Sequence, residues 1–334
     1  MSALGQTLRR TLHAGLLAGL LAGLFVAGNA LAQAWPAHAI KFIVPFPPGG
    51  GTDITARLVA ANLAEALGQP VVVDNRGGAG GMIGSEAVAK AEPDGYTIGI
   101  ATSSTHPGAL VLQKNVPYDP LKSFAPITMI GNTSYVLIGS AALPAETLAE
   151  LIAYAKANPG KLNVANVGAS TLGFLLTQQL KSLSGTQMVD IGYKGSAQVY
   201  PDLFGNQVQL LLDNPGASTP LVASGRLKAY AVTSATPSMP SVPLFSEAGA
   251  TVGLRDFDTN FWYGLVAPAG TPRSIVDRIQ AETAKYINSE AGKKAFAARS
   301  LQPVGSTPEA FAAAIQKDIA NFSALARQLG LTAK

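Results

Sequence analysis

Side chains that could carry out catalysis are scarce in this sequence of 334 residues, which contains three histidines and no cysteine. His13 and His38 lie close to the N-terminus, so His106 is the candidate catalytic imidazole. Because His106 precedes Pro107, we expect it in a surface loop rather than in contact with a ligand. The absence of cysteine excludes thiol nucleophiles, disulfide scaffolds and zinc–thiolate sites. The sequence therefore predicts no metal site, and an enzyme would have to depend on His106 or Asp53.

Two glycine-rich segments resemble phosphate-binding loops but lack residues that those loops require. Gly49–Gly51 is followed by Thr52 and Asp53, where a P-loop needs a lysine, and a carboxylate there would repel phosphate. The segment GGAGGMIG at 77–84 is similar to a dinucleotide fingerprint, but Ile83 stands where the third glycine belongs. The G-x-S-x-G elbow of α/β-hydrolases does not occur either. We therefore expect no nucleotide and no other cofactor.

The polar residues of the predicted loops are typical of ligand recognition without chemistry. The glycines at 49–51 allow close approach of the backbone to a ligand, and many hydroxyl groups stand in loops. These hydroxyl residues are Thr52, Thr102, Ser103, Ser104, Thr105, Ser170 and Thr171. Backbone amides, hydroxyls and water can hold a carboxylate without arginine. Structural alternatives remain open, because Thr52 or Asp53 could simply cap a helix and the serines after Thr102 could form a turn.

The composition favours an exported, lightly charged globular protein. The chain is 48% hydrophobic and 13% charged, with a formal net charge of +4, and no Lys/Arg run exceeds two residues, which argues against nucleic-acid binding. Arg9 and Arg10 precede the apolar run 14–27, and A-x-A motifs end at Ala32 and Ala34. This pattern predicts a signal peptide, residues 1–34, by the Sec or the twin-arginine route. An uncleaved anchor is the alternative, but the run is short for a span of about 20 residues.

Short β-branched runs alternate with Ala/Leu-rich runs from residue 41 onward, which predicts βαβ units and a mostly parallel sheet. Strands are predicted at 41–45, 71–74, 96–100, 127–130, 135–138, 162–165, 208–212, 228–233 and 263–267. Apolar residues at helical spacing predict helices ending near Gly68 and Asn158. Thr271-Pro272 and Thr307-Pro308 predict N-caps for two C-terminal helices, 272–288 and 308–329.

Two strand–loop–helix units predict where a ligand would bind. In the first, loop 46–51 follows a strand ending at Pro45; in the second, loop 167–170 follows a strand ending at Ala165. We expect two α/β domains that face each other across a cleft, with the ligand at the carboxyl ends of the strands. Helix N-termini point there, so the expected ligand is an anion.

One long stretch, with shorter blocks after it, carries a family resemblance. It reads KFIVPFPPGGGTDITARLVAANLAEALGQPVVVDNRGGAGGMIGSEAVAKAEPDGYTI, and the blocks are VPYDPLKSFAPIT, ELIAYAKANPGKLNVA, GYKGSAQ, LLDN, AVTSA and YGLVAPAGTP. Over about residues 38–330 the chain resembles the TctC-like solute-binding proteins, or Bug receptors, of tripartite tricarboxylate transporters. The resemblance implies a type II periplasmic binding protein fold, in which domain 1 comprises 35–134 plus 254–334 and domain 2 comprises 135–253.

The resemblance also implies a function. It predicts a periplasmic, monomeric receptor that closes over a small mono-, di- or tricarboxylate, aliphatic or aromatic, and delivers it to membrane subunits of the TctA/TctB type. No catalytic residue, nucleic acid or cofactor is expected. Two alternatives are a receptor that reports its ligand to a signalling partner and, least favoured, an exported enzyme.

The resemblance places the ligand contacts in the loops of both domains. They are Phe46, Gly49, Gly50, Thr52, Asp53, Thr102, Ser103, Gly168, Ala169, Ser170, Thr171, Lys194, Gly195, Ser196, Ala197 and Asp213. The loop VGASTLGFLL departs from the family because relatives often carry a histidine there, and Phe174 instead predicts a larger, apolar or aromatic ligand group. Asp213 either accepts a hydrogen bond from the ligand or caps a loop, and Lys194 is either the nearby positive charge or a solvated rim residue. Trp262 and Tyr263 are expected to pack in the core.

Overall fold

The computed structural model describes residues 35–257, 259 and 261–331. The predicted signal peptide, residues 1–34, lies outside the described residues. Contacts divide the chain into Met1–Ala37 and His38–Lys334, and the fold below is that of the second unit. Among the described residues, no helix is both long and apolar enough to span a bilayer.

Eleven strands form two mixed sheets in the described part of the chain. The strands are β1 Ile40–Val44, β2 Val71–Asn75, β3 Thr97–Thr102, β4 Phe124–Thr133, β5 Val136–Ser140, β6 Asn163–Asn166, β7 Val189–Gly192, β8 Leu210–Asp213, β9 Leu227–Val232, β10 Phe261–Pro268 and β11 Gln302–Pro303. The first sheet has the order β11-β4-β10-β3-β1-β2 and the second β7-β6-β8-β5-β9. The chain passes from the first sheet to the second between β4 and β5, and it returns at β10.

The helices connect these strands. They are α1 Gly51–Leu67, α2 Met82–Ala89, α3 Ala109–Leu112, α4 Leu148–Ala157, α5 Leu172–Ser184, α6 Ser196–Phe204, α7 Pro215–Ala223, α8 Phe245–Ala248, α9 Arg273–Asn288, α10 Glu290–Ala297 and α11 Pro308–Gln328. A 3₁₀ turn at Ala79–Gly81 precedes α2, and a π-helical turn at Ser104–Gly108 precedes α3. Local signals explain several boundaries. Gly68 ends α1 in the left-handed conformation, and the Thr307 hydroxyl accepts a hydrogen bond from the Ala310 amide at the start of α11.

The sheets differ from the predicted, mostly parallel arrangement. Strands β1 and β6 each pair in parallel with both neighbours, whereas β10 is antiparallel to β3 and β4, and β5 is antiparallel to β8 and β9. Strands β5 and β10 each begin just after the chain changes sheet, and the short strand β11 is antiparallel to β4. Because a strand pattern carries no direction, the sequence could not distinguish them from the parallel strands.

One local prediction is wrong, and two strands, β7 and β11, were missed. Strand β7 was not predicted, because it is an edge strand whose residues are exposed or half-buried and it therefore lacks a run of buried apolar side chains. Thr271 does not cap α9, since the N-cap is Pro272 and the Thr271 hydroxyl donates to the Pro268 carbonyl at 2.8 Å. The expected packing of Trp262 and Tyr263 is observed, with 3% and 1% of these residues exposed.

Candidate functional site

A cavity of about 60 Å³ lies between the two sheets. It is bounded by the chain segments that follow the carboxyl ends of β1, β6 and β8 and by residues next to the connections between the sheets. Seven predicted contacts line it: Phe46, Gly50, Thr52, Thr171, Gly195, Ser196 and Asp213. The other lining residues are Pro47, Gly51, Ser104, Tyr135, Ala165, Asn166, Val167, Gly173, Leu212, Asn214 and Phe261.

Four helices, α1, α5, α6 and α7, have an N-cap residue that lines this cavity. Helix α1 starts at Gly51 after the N-cap Gly50, and α6 starts at Ser196 after the N-cap Gly195. Both caps are glycines, so neither provides a side-chain cap for the first amides of its helix. Helix α7 starts directly after Asn214, which also forms no side-chain cap hydrogen bond. The first turns of α1 and α6 therefore lack side-chain caps, and the positive ends of these two helix dipoles lie at the cavity.

Asp213, at the end of β8, is a buried carboxylate in the wall of the cavity, with 2% of the residue exposed. Its Oδ1 accepts a hydrogen bond from the Ser196 hydroxyl at 2.8 Å, and its Oδ2 accepts one from the Tyr200 hydroxyl at 2.7 Å. Burial raises the pKa of Asp213 above its usual value, although these hydrogen bonds oppose the rise. Both oxygens thus have protein partners, and their role in positioning Ser196 and Tyr200 favours the structural interpretation of Asp213.

Two buried amide atoms near the cavity lack partners among the described residues. The Nδ2 atom of Asn214 is a free donor, and the Oδ1 atom of Asn166 is a free acceptor. Buried polar groups are normally hydrogen-bonded, and both residues line the cavity. A bound molecule or water would therefore supply the hydrogen-bond partners of Asn214 Nδ2 and Asn166 Oδ1.

Aromatic rings form much of the apolar wall. Phe46, Tyr135 and Phe261 line the cavity, and the rings of Tyr135 and Phe261 meet edge to face with centroids 5.6 Å apart. Phe174, which the sequence places in the second loop, is absent from the lining, where Gly173 stands instead. The aromatic rings therefore come from the loop after β1 and from the segments joining the sheets rather than from Phe174.

Asp53, a predicted contact, lies behind the glycine loop. Its Oδ2 accepts from the Gly49 amide and from Arg57 Nε, both at 3.0 Å, and its Oδ1 accepts from Asn75 Nδ2 at 2.9 Å. Burial raises the pKa of Asp53, but these hydrogen bonds and the charge of Arg57 outweigh it, and the net pKa is lowered. Asp53 and Gly49 thus hold the loop in shape, and Asp53 lies in the first turn of α1 rather than at its N-cap.

Thr102 and Ser103 are fully buried beneath the cavity and are absent from its lining. The Ser103 hydroxyl accepts from the Trp262 amide at 3.0 Å, and the Thr102 hydroxyl accepts from the Thr105 amide at 3.1 Å. The expectation that His106 lies in a surface loop is wrong, because 1% of it is exposed and its ring centroid lies 4.7 Å from that of Phe124. Burial lowers the pKa of His106 to about 3, so the imidazole is neutral.

The segment 168–172 contacts the opposite side of the cleft directly. The Ser170 hydroxyl donates to the Ala79 carbonyl at 3.2 Å, and the Ser104 hydroxyl accepts from the Leu172 amide at 3.1 Å. Gly168 and Ser170 do not line the cavity, and neither does the exposed Ala169. Serine and glycine therefore join the two sides here. We call the Ser170–Ala79 and Ser104–Leu172 hydrogen bonds the cleft contacts.

Lys194 and Ala197 flank α6 at the rim. Lys194 is exposed and Ala197 is half-buried, and neither lines the cavity. Among the described lining residues there is no lysine or arginine, and the described residues contain no cluster of carboxylates and histidines suited to a metal ion. An anion in this cavity would be held by dipoles and neutral donors.

The sequence analysis missed several lining residues. Four of them occupy one of two kinds of place in the fold, a strand end or a connection between the sheets. Asn166 and Asn214 stand at or directly after the carboxyl ends of β6 and β8, so the rule that ligands bind at strand ends could have identified them. Tyr135 and Phe261 flank the points where the chain changes sheet. Their place in the wall depends on how the sheets meet, and no local pattern encodes that.

Two mixed α/β sheets with a cavity between them define the periplasmic binding protein class of fold. The sequence matches the family described as TctC, Tripartite tricarboxylate transporter family receptor, over residues 55–331. Protein BugT of Bordetella pertussis (strain Tohama I) is 36% identical over 313 residues, which cover 92% of this chain and 94% of that protein. The chain belongs to the TctC family of tripartite tricarboxylate transporter receptors, and the resemblance seen in its sequence is confirmed.

Solved structures agree with this assignment. The periplasmic binding protein BugD matches with a TM-score of 0.85 and 32% identity, over 90% of this chain and 100% of that one. R. palustris Rpa4515 with adipate matches with a TM-score of 0.85 and 33% identity, over 90% and 100% of the two chains. The fold is therefore that of the Bug proteins, and the protein is a member of a binding-receptor family rather than an enzyme family.

Proposed function

We propose that this protein is a periplasmic receptor that binds a small carboxylate in the cavity between its sheets and delivers it to the membrane subunits of a tripartite transporter. Family membership supports the transport role. Two similar proteins are described as a periplasmic binding protein and as a complex with adipate. The N-terminal sequence supports export with removal of residues 1–34.

The observation that carries the proposal is the meeting of four helix N-termini at one cavity. The backbone amides of Gly51, Thr52 and Ser196, in the uncapped first turns of α1 and α6, and the unpaired Asn214 Nδ2 offer donors to a carboxylate. Together they can replace the hydration shell of an anion without a cationic side chain. We propose that Phe46, Gly50, Thr171 and Gly195 complete the walls around the ligand.

We propose further that the ligand stabilises closure of two domains, 35–134 plus 254–334 and 135–253. The sheets support this division, since β1–β4, β10 and β11 form one sheet and β5–β9 form the other. The hydrogen bonds Ser170–Ala79 and Ser104–Leu172 join the proposed domains. A ligand that touches both domains favours the closed state by its differential affinity.

A carboxylate screen tests the proposal. Mature protein from residue 35 onward is unfolded thermally with aliphatic, aromatic and amino-acid carboxylates, and hits are titrated by calorimetry. We expect a rise in Tm with one or a few carboxylates, as linkage requires for a ligand of the native state. Mass spectrometry of the freshly purified protein identifies a co-purified ligand. A panel in which sugars or cations raise Tm and no carboxylate does would overturn the proposal.

A further inference from the structure

Asn166 is the last residue of β6 and lines the cavity, with 4% of the residue exposed. Its backbone carbonyl accepts from the Tyr193 amide at 2.8 Å, so its main chain is held within the sheet. The side-chain Nδ2 donates to Asp190 Oδ1 at 2.8 Å. The Oδ1 atom is buried and has no partner among the described residues. One branch of the amide is thus occupied, and the other is an unpaired acceptor.

Asp190, in the neighbouring strand β7, fixes the orientation of this amide. Its Oδ2 accepts from Lys181 Nζ at 2.6 Å, and Gln178 Nε2 lies 3.1 and 3.2 Å from its two oxygens. A carboxylate paired with an ammonium group only accepts hydrogen bonds. Rotating the Asn166 amide by half a turn would place its oxygen against Asp190. The network therefore determines that NH₂ faces Asp190 and that the oxygen is the atom left without a partner among the described residues.

We infer that Asn166 selects carboxylates that also bear a hydrogen-bond donor, a hydroxyl or an ammonium group, and that Asp190 sets this preference by holding the Asn166 amide. The inference deepens the proposed function and rests on it. In this inference, hydrogen-bond donors and a hydrogen-bond acceptor of the cavity bind different groups of the ligand. Helix amides and Asn214 Nδ2 bind the carboxylate, while Asn166 Oδ1 accepts from the substituent.

An unsubstituted diacid offers only acceptors at neutral pH. Bound in this cavity it would exclude water from Asn166 Oδ1 and leave that oxygen buried without a donor. A site that contains an unpaired polar atom discriminates strongly against ligands that cannot satisfy it. A hydroxyl or ammonium group near this oxygen removes the penalty, so matched ligands that differ only in this substituent should differ clearly in affinity.

Two series of ligands measure that difference. The four-carbon series is succinate, malate, aspartate and oxaloacetate; the six-carbon series is adipate, 2-hydroxyadipate, 2-aminoadipate and 2-oxoadipate, with both enantiomers of chiral members. Calorimetry gives Kd for each. In the wild type we expect the hydroxy or amino member of the better-bound series to bind at least fivefold tighter than the unsubstituted member.

A variant at Asn166 tests whether this affinity ratio depends on the Asn166 amide. In Asn166→Leu, which keeps a similar volume without the amide, the ratio should fall below twofold. The matched control is Asn163→Leu on the same strand: the Asn163 amide donates to the Gln207 carbonyl at 2.9 Å and is absent from the cavity lining. The control should keep the wild-type ratio.

Asp190→Asn provides a second, independent test outside the cavity. Lys181 will hold the new amide oxygen, so the new NH₂ group will face Asn166 and the Asn166 amide will turn its own NH₂ to the cavity. We expect the preference to shift by fivefold or more toward the 2-oxo member. This variant decides the question if Asn166→Leu does not fold.

The outcomes separate the two proposals. If no carboxylate of any kind binds, the proposed function fails and the inference fails with it. If carboxylates bind with a wild-type ratio under fivefold, or if the ratio survives in Asn166→Leu, the inference alone is overturned and Asn166 Oδ1 holds only a structural water.

Discussion

Replacing Gly80 with alanine should weaken ligand binding without touching the cavity. Gly80 has φ +65°, and a Cβ atom built on it would lie 1.9 Å from Ser170 Oγ and 3.2 Å from Ser170 Cβ. The serine hydroxyl must then rotate away from the Ala79 carbonyl, which breaks one of the cleft contacts. The lost hydrogen bond and the crowding of the two backbones should destabilise the closed state relative to the open state by on the order of 1–2 kcal/mol. The expected loss of affinity is about 5- to 30-fold.

The left-handed conformation of Gly80 adds backbone strain to the Gly80→Ala variant. A control variant with the same strain separates this effect from the loss of the cleft contact. Alanine at φ +65° is strained by about 1–2 kcal/mol, but that strain is present whether the cleft is open or closed and therefore lowers Tm without ligand. Gly185 has φ +64° with no atom within 4 Å of a built Cβ. Gly185→Ala should thus lower the ligand-free Tm to a similar extent and leave Kd unchanged.

Calorimetry and small-angle scattering with a carboxylate identified in the screen measure the effect. Ser170→Ala should lose about fivefold in affinity, and the double variant should lose less than the sum of both changes, because both remove the same hydrogen bond. Scattering should show a smaller change in the radius of gyration on ligand addition for Gly80→Ala. Equal Kd values for Gly80→Ala and Gly185→Ala would refute the argument that this contact belongs to the closed state.

Three further changes follow from buried groups. Asp213→Asn should abolish the loss of stability that the raised pKa of Asp213 causes as pH increases from about 3.8 through that pKa, which urea unfolding at several pH values measures. His106→Phe should reduce the loss of stability as pH falls from 6.5 toward 3. In the wild type this loss arises because the imidazole is protonated at a higher pH in the unfolded chain than in the native chain. An unchanged pH profile of the unfolding free energy would contradict the burial argument. Gly264→Ala should lower the free energy of unfolding by about 1–3 kcal/mol, since its Cβ would lie 2.1 Å from Phe311 Cζ, whereas Gly192→Ala, with open space around it, should behave as wild type.

The sequence was informative wherever structure depends on local chemistry. The Thr307 cap, the glycine end of α1 and the loop between β1 and α1 all follow from residue types at fixed spacing, and the structure contains each of them. Strand β7 escaped prediction because an exposed edge strand has little apolar periodicity. The direction of β5 and β10 depends on where the chain changes sheet, which a strand pattern does not record.

Residue roles in the candidate site were harder to predict than its location. Gly50, Thr171 and Ser196 all line the cavity. The loops of Gly50 and Thr171 were predicted from strand ends, whereas Ser196 was predicted from the family resemblance. Asp53 and Ser170 stand in these loops, but their side chains face Gly49 and Ala79. A loop sequence specifies which polar groups are available, and tertiary packing decides which of them face the cavity.

The low charge of the chain, 13% of its residues, bears on how such a receptor releases its ligand. Among the described residues that line the cavity, the one with an ionisable carboxylate is Asp213, and none is lysine or arginine. A buried arginine–carboxylate pair would bind tightly but would leave an uncompensated buried charge each time the ligand departs. Helix amides and Asn214 Nδ2 are neutral groups that water can solvate once the cleft opens. Affinity can then depend mainly on closure, so a transporter subunit that separates the two sides could release the ligand without having to neutralise a binding charge.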